Sequence, residues 1–302
     1  MYIIITGATG TGKSSVAIEL AAMINGSIIS ADSMQVYRGM DIGTYKIIKT
    51  EMKSIEHYLL DVINPGEKFS AMQFQDMAVK VMDRVKASGK IPIVTGGTGL
   101  YINALTRGIL TAKEPSAEQR YLLRTELEEN GLEALVNLLN KKDPGAAALI
   151  DINNSRRVLR ALELVTANNM SLSDLRKTTE QNKYNDAYKL FVLDTGREYM
   201  YERLDKRVDE MIEKGLVSEV KKLIGGANAL SQTAMQAIGY KETAEYINGR
   251  ISQKQMADAI KQATRNYAKR QVTWFKKYSE AIRINMEGKT AITAAKEIQS
   301  QV

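Results

Sequence analysis

The chain has 302 residues, of which 44% are hydrophobic and 25% charged, so it can form one large or two modest domains with a well-packed core. It contains no cysteine, which excludes disulfide bonds, thiol catalysis and cysteine-ligated zinc. No apolar run approaches the length of a membrane span, and the first residues are typical of a core strand, not of a signal peptide. We therefore expect a cytoplasmic protein without membrane association.

The net charge is +7, and the excess lies close to the C-terminal end. Between Arg250 and Arg283 there are nine lysines and arginines against two acids, an excess equal to the net charge of the whole chain. A modest positive excess is often only a solvated surface. An excess concentrated in one stretch favours a polyanionic partner.

The first residues have the order strand, glycine-rich loop and helix. The apolar, β-branched run Tyr2–Ile5 predicts a buried strand, and Ser15–Ile24 has helical spacing. Gly7–Ser14 between them fits the pattern G-x-x-x-x-G-K-[ST] of a phosphate-binding loop. In such a loop backbone N–H groups surround an anion, Lys13 adds a positive charge, and the Ser14 hydroxyl can hold Mg²⁺. The pattern does not tell which phosphate ester is bound.

Further apolar runs alternate with helical patterns, which predicts a parallel α/β sheet flanked by helices, similar to that of P-loop NTPases. Strands are predicted at 27–31, 57–62, 91–94, 188–193 and 282–286, and helices at 15–24 and 70–88. Ligands of such sheets gather at the carboxyl ends of the strands. The loops at Gly7, Asp32 and Gly96 should therefore converge on one cleft.

From about Pro115 helical patterns follow one another with no clear strand between them, and strand character returns at Tyr188. Helices are predicted at 116–129, 132–140, 145–150 and 155–166. We interpret 115–184 as a helical insertion domain in a core formed by 1–114 and 185–302. In the second part of the core, one long amphipathic helix is predicted from Met200 to Leu223, with further helices to about Tyr278 and a last helix at 290–299.

Asp32 ends the second predicted strand, where its carboxylate would lie beside the phosphate loop. It can cap a turn, bind Mg²⁺, or act as a general base on a substrate next to the phosphates. The strand 91–94 continues into Thr95-Gly96-Gly97-Thr98 and has no carboxylate at its end. P-loop ATPases and kinases use an acid to hold Mg²⁺, so its absence from this strand end weakens an ATPase interpretation.

Basic residues recur at helical spacing in three places. Arg203 and Arg207 share a helix face that borders the core, where they can pair with acids or reach phosphates. The stripe Lys261, Arg265 and Lys269 is either a solvated face or a surface for RNA backbone contact. Four aromatic residues interleave with this region and favour base stacking: Tyr267, Trp274, Phe275 and Tyr278. The insertion has its own basic cluster: Arg156, Arg157 and Arg160.

Six segments, in family order and spread over nearly the whole chain, resemble the bacterial tRNA dimethylallyltransferase family, also called tRNA isopentenyltransferase. They are GATGTGKS at 7–14, SADSMQVYRGMDIGT at 30–44, GGTGLY at 96–101, RVLRALE at 157–163, IGY at 238–240 and KRQVTWF at 269–275. The phosphate loop is shared with many families, and the segment at 30–44 is far more specific. Ala8 and Ile47 depart from the family, which usually has proline at both positions.

The resemblance implies transfer of a dimethylallyl group from dimethylallyl diphosphate to N6 of the adenine on the 3′ side of the tRNA anticodon, with release of pyrophosphate. It also implies Mg²⁺ as cofactor on Ser14, no consumption of ATP, and a monomer that grips the anticodon stem-loop with the insertion and the basic C-terminal region. The target adenine would have to leave its stack, as in other base-flipping enzymes.

The same resemblance assigns roles to individual residues. Asp32 would accept the proton of the amine, Arg207 would stabilise the leaving group, and Thr9 would lie at the reacting centre. The diphosphate would be bound by the loop and one arginine: Gly7, Ala8, Thr9, Gly10, Thr11, Gly12, Lys13, Ser14 and Arg203. The tRNA would be bound by Asp32, Ser33, Met34, Gln35, Thr98, Arg156, Arg157, Arg160, Gly239, Lys269 and Arg270.

Two other classes of protein fit parts of the sequence. A P-loop kinase of a small metabolite would use the same strand, loop and helix for nucleotide binding. An RNA-binding regulator would use the basic C-terminal stretch for RNA and the loop only as a nucleotide sensor. The single histidine, His57, is interpreted as structural in each case.

Overall fold

Six parallel strands form one sheet in the part of the chain that the structure describes. The structure is a computed structural model that describes residues 1–110, 112–181, 183–226 and 230–302. The strands are β1 Tyr2–Gly7, β2 Gly26–Ser30, β3 His57–Tyr58, β4 Ile91–Gly96, β5 Tyr188–Asp194 and β6 Ile282–Asn285. Their spatial order is β3-β2-β4-β1-β5-β6, and every pairing is parallel. The predicted α/β class with a parallel sheet is confirmed.

Helices connect the strands and continue beyond them. They are α1 Lys13–Ile24, α2 Ala71–Ala87, α3 Gly99–Thr106, α4 Ala117–Lys142, α5 Ser155–Asn168, α6 Leu172–Gln181, α7 Arg197–Glu213, α8 Leu216–Ile224, α9 Tyr240–Ile247, α10 Gln253–Phe275 and α11 Ala291–Gln299. Among the described residues, no helix is both long and apolar enough to cross a membrane.

The strand β1 lies at the point where the strand order reverses. The chain leaves β1 for β2 on one side and leaves the neighbouring β4 for β5 on the other side. In parallel sheets this reversal opens a crevice at the carboxyl ends of the two strands, and ligands bind there. The register brings Thr6 of β1 opposite Gly96 of β4, and the Thr6 hydroxyl donates to the Gly96 carbonyl at 2.7 Å.

The sheet is stabilised by burial of alternating strand residues under helices. Ile3 and Ile5 of β1 share one core cluster with Val16 and Leu20 of α1 and Ile298 of α11, all nearly inaccessible to solvent. Successive strand residues point to opposite faces, so β1 contributes its other residues to the far side of the sheet. The glycine-rich loop is thus held between a buried strand and a buried helix.

Several predicted elements differ in length from the observed ones. The predicted strand 57–62 is reduced to His57–Tyr58, because Leu59 and Asp61 adopt left-handed backbone conformations with φ of 62° and 54°. The predicted helix from Met200 to Leu223 is wrong as one element: it breaks into α7 and α8 at Gly215, whose φ is 99°. Helix α3, which follows directly on a glycine-rich turn, was not predicted from the sequence.

The chain forms two compact units. The first comprises Met1–Ile102 and Asn185–Val302 and contains the sheet, and the second is Asn103–Tyr184. The proposed insertion, 115–184, lies within the second unit. Residues 111, 182 and 227–229 of the predicted ranges lie outside the described residues. The second unit has its own core, in which Leu135 and Leu139 of α4 pack with residues of α5. The predicted division of α4 at 130–131 appears as a kink at Gly131, with φ of 77°.

Candidate active site

The phosphate-binding loop closes on itself between β1 and α1. The Thr11 hydroxyl donates to the Ala8 carbonyl at 2.8 Å, and Gly12, with φ of 88°, leads into the first turn of α1. Gly7 must be a glycine, because a Cβ at this position would lie 2.3 Å from the Leu193 carbonyl oxygen of β5. The loop therefore leads into the N-terminus of α1, where the first backbone N–H groups and the positive end of the helix dipole favour an anion.

Lys13 is a cation within the phosphate-binding loop itself. Its Nζ donates to the Ala8 carbonyl at 2.7 Å, across the loop. Burial lowers the pKa of Lys13 to about 8, the negative charge of Asp32 opposes this shift, and the positive charge of Arg207 adds to it. An anion that binds beside such a cation stabilises its charged form, so the charged lysine favours anion binding.

Arg207 of α7 contacts the loop directly. Its Nη1 donates to the Thr9 hydroxyl oxygen at 3.2 Å, and its Nη2 donates to the Thr44 carbonyl at 3.1 Å. Burial lowers the pKa of Arg207 to about 10, although the negative charge of Asp32 opposes the shift. Arg203, one turn earlier, is exposed and lies over the Tyr199 ring, but it also lines the cavity described below. Of the two predicted arginines, Arg207 is thus the one held against the loop.

Asp32 follows β2 and has two different carboxylate oxygens. Oδ1 accepts from the backbone N–H groups of Met34 and Gln35 at 2.9 and 3.3 Å, and so caps the turn that follows. For Oδ2 no hydrogen bond is found among the described residues, and Asp32 lines the cavity. The interpretation as a cap is therefore correct for one oxygen, and the other oxygen is available to a substrate.

Gln271 of α10 joins two of the three strand ends. Its Oε1 accepts from the Thr9 backbone N–H at 2.8 Å, and its Nε2 donates to the Gly97 carbonyl at 2.7 Å. Only 5% of Gln271 is exposed. Sequence reasoning assigned it no role, although a signal exists: with Ala268 and Phe275, Gln271 occupies the spacing of the buried face of its helix, where a polar residue needs partners.

Glu219 of α8 holds the loop that follows Asp32. Its two carboxylate oxygens accept from the backbone N–H groups of Asp41, Ile42 and Gly43 at 2.7–3.0 Å and from the hydroxyl of the buried Tyr240 at 2.7 Å. Burial raises the pKa of Tyr240, and the negative charge of Glu219 adds to this shift. Sequence reasoning also missed Glu219, because its partners are backbone groups nearly 180 residues away.

The predicted residues near Asp32 lie together. The Ser33 backbone N–H donates to the Thr98 hydroxyl oxygen at 2.9 Å, which links the second and third strand ends. The Gln35 side chain accepts from the Ser30 hydroxyl at 3.3 Å and donates to the Thr44 carbonyl at 3.4 Å. Met34 is half-buried and packs against a hydrophobic cluster.

The loops at the three strand ends enclose one cavity of about 670 Å³. The convergence predicted from the sequence is thus confirmed. The cavity is lined by phosphate-loop residues, by cations and by polar residues that follow β2 and β4; its lining includes Lys13, Ser14, Asp32, Gln35, Gly97 and Arg207. A cavity of this size has room for a small diphosphate ester and part of a second substrate.

Ser14 is the residue that fits a metal ion at this site. It is exposed and lines the cavity, and no hydrogen bond to its hydroxyl is found among the described residues. Those residues contain no cluster of three His, Asp or Glu that would hold a metal by itself. A Mg²⁺ ion bound here would therefore take most of its ligands from phosphate oxygens and water, as this ion commonly does.

The basic stripe of α10 is divided between internal ion pairs and free surface. Lys261 and Arg265 pair with Asp209 and Asp205 of α7 at 2.6 Å each. Lys269 is exposed without an ion-pair partner among the described residues, and Arg270 is exposed with its guanidinium 5.7 Å from the Tyr267 ring centre. The expectation of stacking aromatic residues is wrong for two of the four, because Phe275 and Tyr278 are each 1% exposed and belong to the core.

The remaining predicted tRNA contacts occupy different environments. Arg156 and Arg157 are exposed on α5, and Arg157 lies 3.8 Å from Asp151. Arg160 is bound to Glu114 and Glu163 and stabilises the second unit. Gly239 is buried at the start of α9 with φ of 96°, and there its conformation allows the helix to begin. His57 is half-buried in β3, and burial lowers its pKa.

Comparisons with known proteins identify relatives over nearly the whole chain. A family model described as IPP transferase matches residues 35–278. The chain is 43% identical over 286 residues to the tRNA dimethylallyltransferase of Acetivibrio thermocellus, covering 94% of this chain and 91% of that protein. It is 44% identical over 280 residues to the enzyme of the same name from Staphylococcus carnosus, covering 91% of this chain and 88% of that protein.

Solved structures agree with these relatives. The crystal structure of a tRNA delta(2)-isopentenylpyrophosphate transferase from Staphylococcus epidermidis is 40% identical, with a TM-score of 0.72, and the match covers 99% of this chain and 97% of that one. A eukaryotic dimethylallyltransferase acting on tRNA is 29% identical, with a TM-score of 0.80, over 94% of this chain and 73% of the other.

Proposed function

The chain belongs to the IPP transferase family, and we propose that it transfers a dimethylallyl group from dimethylallyl diphosphate to N6 of an adenine beside the tRNA anticodon, releasing pyrophosphate. The observation that carries this proposal is the arrangement of one cavity. Its lining combines a phosphate loop and cations with a carboxylate, Asp32, one oxygen of which has no hydrogen bond among the described residues.

The loop side suits a leaving group. Breaking the bond between the allylic carbon and oxygen leaves both electrons on the diphosphate, so negative charge develops on that oxygen. Lys13 and Arg207 are held against the loop by hydrogen bonds before the reaction, and together with the N-terminus of α1 they would stabilise this charge. A Mg²⁺ ion bound at Ser14 would add charge neutralisation of the same kind.

The carboxylate of Asp32 suits the nucleophile. The N6 amine of adenine is weakly nucleophilic because its lone pair is delocalised into the ring, and it must lose a proton as the new C–N bond forms. Asp32, whose Oδ2 has no hydrogen bond among the described residues, would accept that proton. A positioned base contributes about 10²–10⁴ in rate to such a step. The products are N6-dimethylallyl adenosine in tRNA, pyrophosphate and one proton.

For tRNA binding we propose the exposed cations of each unit, Lys269 and Arg270 of α10 and Arg156 and Arg157 of α5. Ser33, Gln35 and Thr98, which lie beside Asp32, would receive the flipped adenine. We also propose that the protein acts as a monomer, and a tRNA substrate agrees with the cytoplasmic location expected from the sequence.

The test is a transfer assay with tRNA, Mg²⁺ and dimethylallyl diphosphate labelled in the allylic carbon. We expect label in the tRNA and, after digestion to nucleosides, in a modified adenosine. A tRNA with guanine in place of the target adenine is the matched control and should accept no label. Absence of label when both ligands are shown to bind would refute the proposal, and transfer of phosphate from labelled ATP would favour a kinase.

A further inference from the structure

Tyr45 lies at the edge of the cavity, directly after the carbonyl of Thr44 that Arg207 binds. Its ring faces the Arg207 guanidinium, with 4.0 Å from Cζ to the ring centre. This is well inside the distance of about 6 Å at which a cation and an aromatic face attract each other. Tyr45 lines the cavity and is 41% exposed, so the ring covers Arg207 and is itself in contact with solvent.

The Tyr45 hydroxyl fixes the ring against the same helix. It donates to Glu210 Oε2 at 3.0 Å, and Glu210 lies one turn after Arg207 in α7. Burial and then this hydrogen bond raise the pKa of Tyr45, so the hydroxyl remains a donor. Tyr45 thus contacts α7 twice, through the face of its ring at Arg207 and through its hydroxyl at Glu210.

The backbone at Tyr45 is held in an uncommon conformation. Its φ is 52°, in the left-handed region that bulky residues rarely adopt. The Tyr45 backbone N–H donates to the Ile42 carbonyl at 3.0 Å, and the next residue, Lys46, is anchored by Asp41 and Asp61 at 2.6 Å each. These contacts impose the conformation that aims the ring at α7.

We propose that Tyr45 is a positioning residue that holds Arg207 over Thr9 and excludes water from the guanidinium. Tyr45 acts on the diphosphate only through Arg207. This proposal rests on the proposed function, which assigns a diphosphate to the loop. Two hydrogen bonds, to Thr9 and Thr44, hold the guanidinium. The Tyr45 ring adds a third contact, because Arg207 Cζ lies over its face.

Calorimetric binding of inorganic pyrophosphate with Mg²⁺ tests the inference without any turnover, so its failure is separate from failure of the transfer assay. Tyr45→Ala should weaken this binding about 2- to 30-fold, the span expected for loss of one cation–ring contact. Tyr45→Phe, which keeps the ring, should lose less. Neither variant should change the affinity for tRNA.

The decisive measurement repeats Tyr45→Ala in an Arg207→Gln background. If the ring acts through Arg207, the second substitution causes no further loss of pyrophosphate affinity. Equal losses in both backgrounds, or equal effects of Ala and Phe, would overturn the proposal. Tyr199→Ala is the matched control, because Tyr199 lies under the exposed Arg203 at 5.6 Å, and it should bind pyrophosphate as the unmodified protein does. Urea unfolding of each variant shows whether the fold is retained.

Discussion

At the scale of single residues, Asp32 combines a structural and a chemical role in one carboxylate. Oδ1 caps the turn at Met34 and Gln35, Oδ2 has no hydrogen bond among the described residues, and Asp32 lines the cavity. The position of Asp32 at a strand end could be predicted from the sequence, but the division between its two oxygens could not. That division depends on the exact turn the chain makes after β2, which hydrophobic periodicity does not encode.

Asp32→Asn separates the two roles. The amide oxygen of asparagine can still accept from Met34 and Gln35, so the turn should persist, but the side chain cannot take a proton. We expect the single-turnover rate to fall about 10²-fold or more, while the affinity for tRNA stays close to that of the unmodified protein. An Asn variant with a near-normal rate would show that Asp32 serves only as a cap.

The Lys13 pKa predicts a pH dependence of anion binding. Because burial lowers this pKa to about 8, the charged fraction of Lys13 falls as pH rises through that value, and pyrophosphate should bind more weakly. Binding above about pH 8 should also take up a proton, since the bound anion raises the lysine pKa again. Calorimetry in buffers of different ionisation enthalpy measures this uptake.

Lys13→Arg is the control for that experiment, because arginine stays charged throughout and should show no such uptake. Identical proton uptake by both proteins would contradict the assignment to Lys13.

The lowered pKa of Lys13 also affects the stability of the fold, which should rise with pH where anion binding weakens. Between about pH 8 and the unfolded lysine value of about 10.4, the unfolded chain binds more protons, so this residue's contribution to stability increases with pH.

At the scale of elements, the site depends on loops anchored by distant helices. Strand and helix periodicity predicted the sheet, α1, α2 and the strand ends that carry the loops. It did not predict the break at Gly215, since Leu216 and Val220 continue the apolar spacing of the residues before it. The break gives α8 its own start, and from there Glu219 reaches the loop at 41–43. Such backbone partners leave no periodic trace in a sequence.

Glu219→Gln tests this anchor. The amide nitrogen cannot accept a hydrogen bond, so at least one backbone N–H of the 41–43 loop loses a charged partner, at a cost of about 1.5–3 kcal/mol. We expect a lower free energy of unfolding in urea and a higher KM for dimethylallyl diphosphate, because Thr44 at the end of this loop binds Arg207. Glu213→Gln, an exposed change at the end of α7, should leave both unchanged. If Glu219→Gln behaves like Glu213→Gln, the anchor is unimportant.

At the scale of the whole molecule, the excess of seven positive charges between Arg250 and Arg283 overstates the free positive surface of this stretch. The excess can be counted from the sequence, but its pairing could not be predicted, because the acids that neutralise Lys261 and Arg265 are more than 50 residues away on α7. Surface cations such as Lys269 keep their charge available for a polyanion.

The two kinds of lysine give opposite predictions for tRNA binding. Lys269→Ala should reduce the slope of log affinity against log salt concentration by up to about one, as expected for loss of one phosphate contact. Lys261→Ala should leave the slope unchanged, because Lys261 is bound to Asp209. Filter binding across a salt series measures both. A larger change for Lys261 than for Lys269 would refute this division of the basic stripe.

We propose that the loop binds the diphosphate as a leaving group and that the bond between the allylic carbon and the bridging oxygen breaks. Dimethylallyl diphosphate with ¹⁸O in the bridge between the allylic carbon and phosphorus tests it directly. We predict that mass spectrometry of a completed reaction with tRNA finds the ¹⁸O in the released pyrophosphate and an unlabelled dimethylallyl group on the tRNA. Recovery of the ¹⁸O in dimethylallyl alcohol, with the diphosphoryl group on the acceptor, would contradict this prediction.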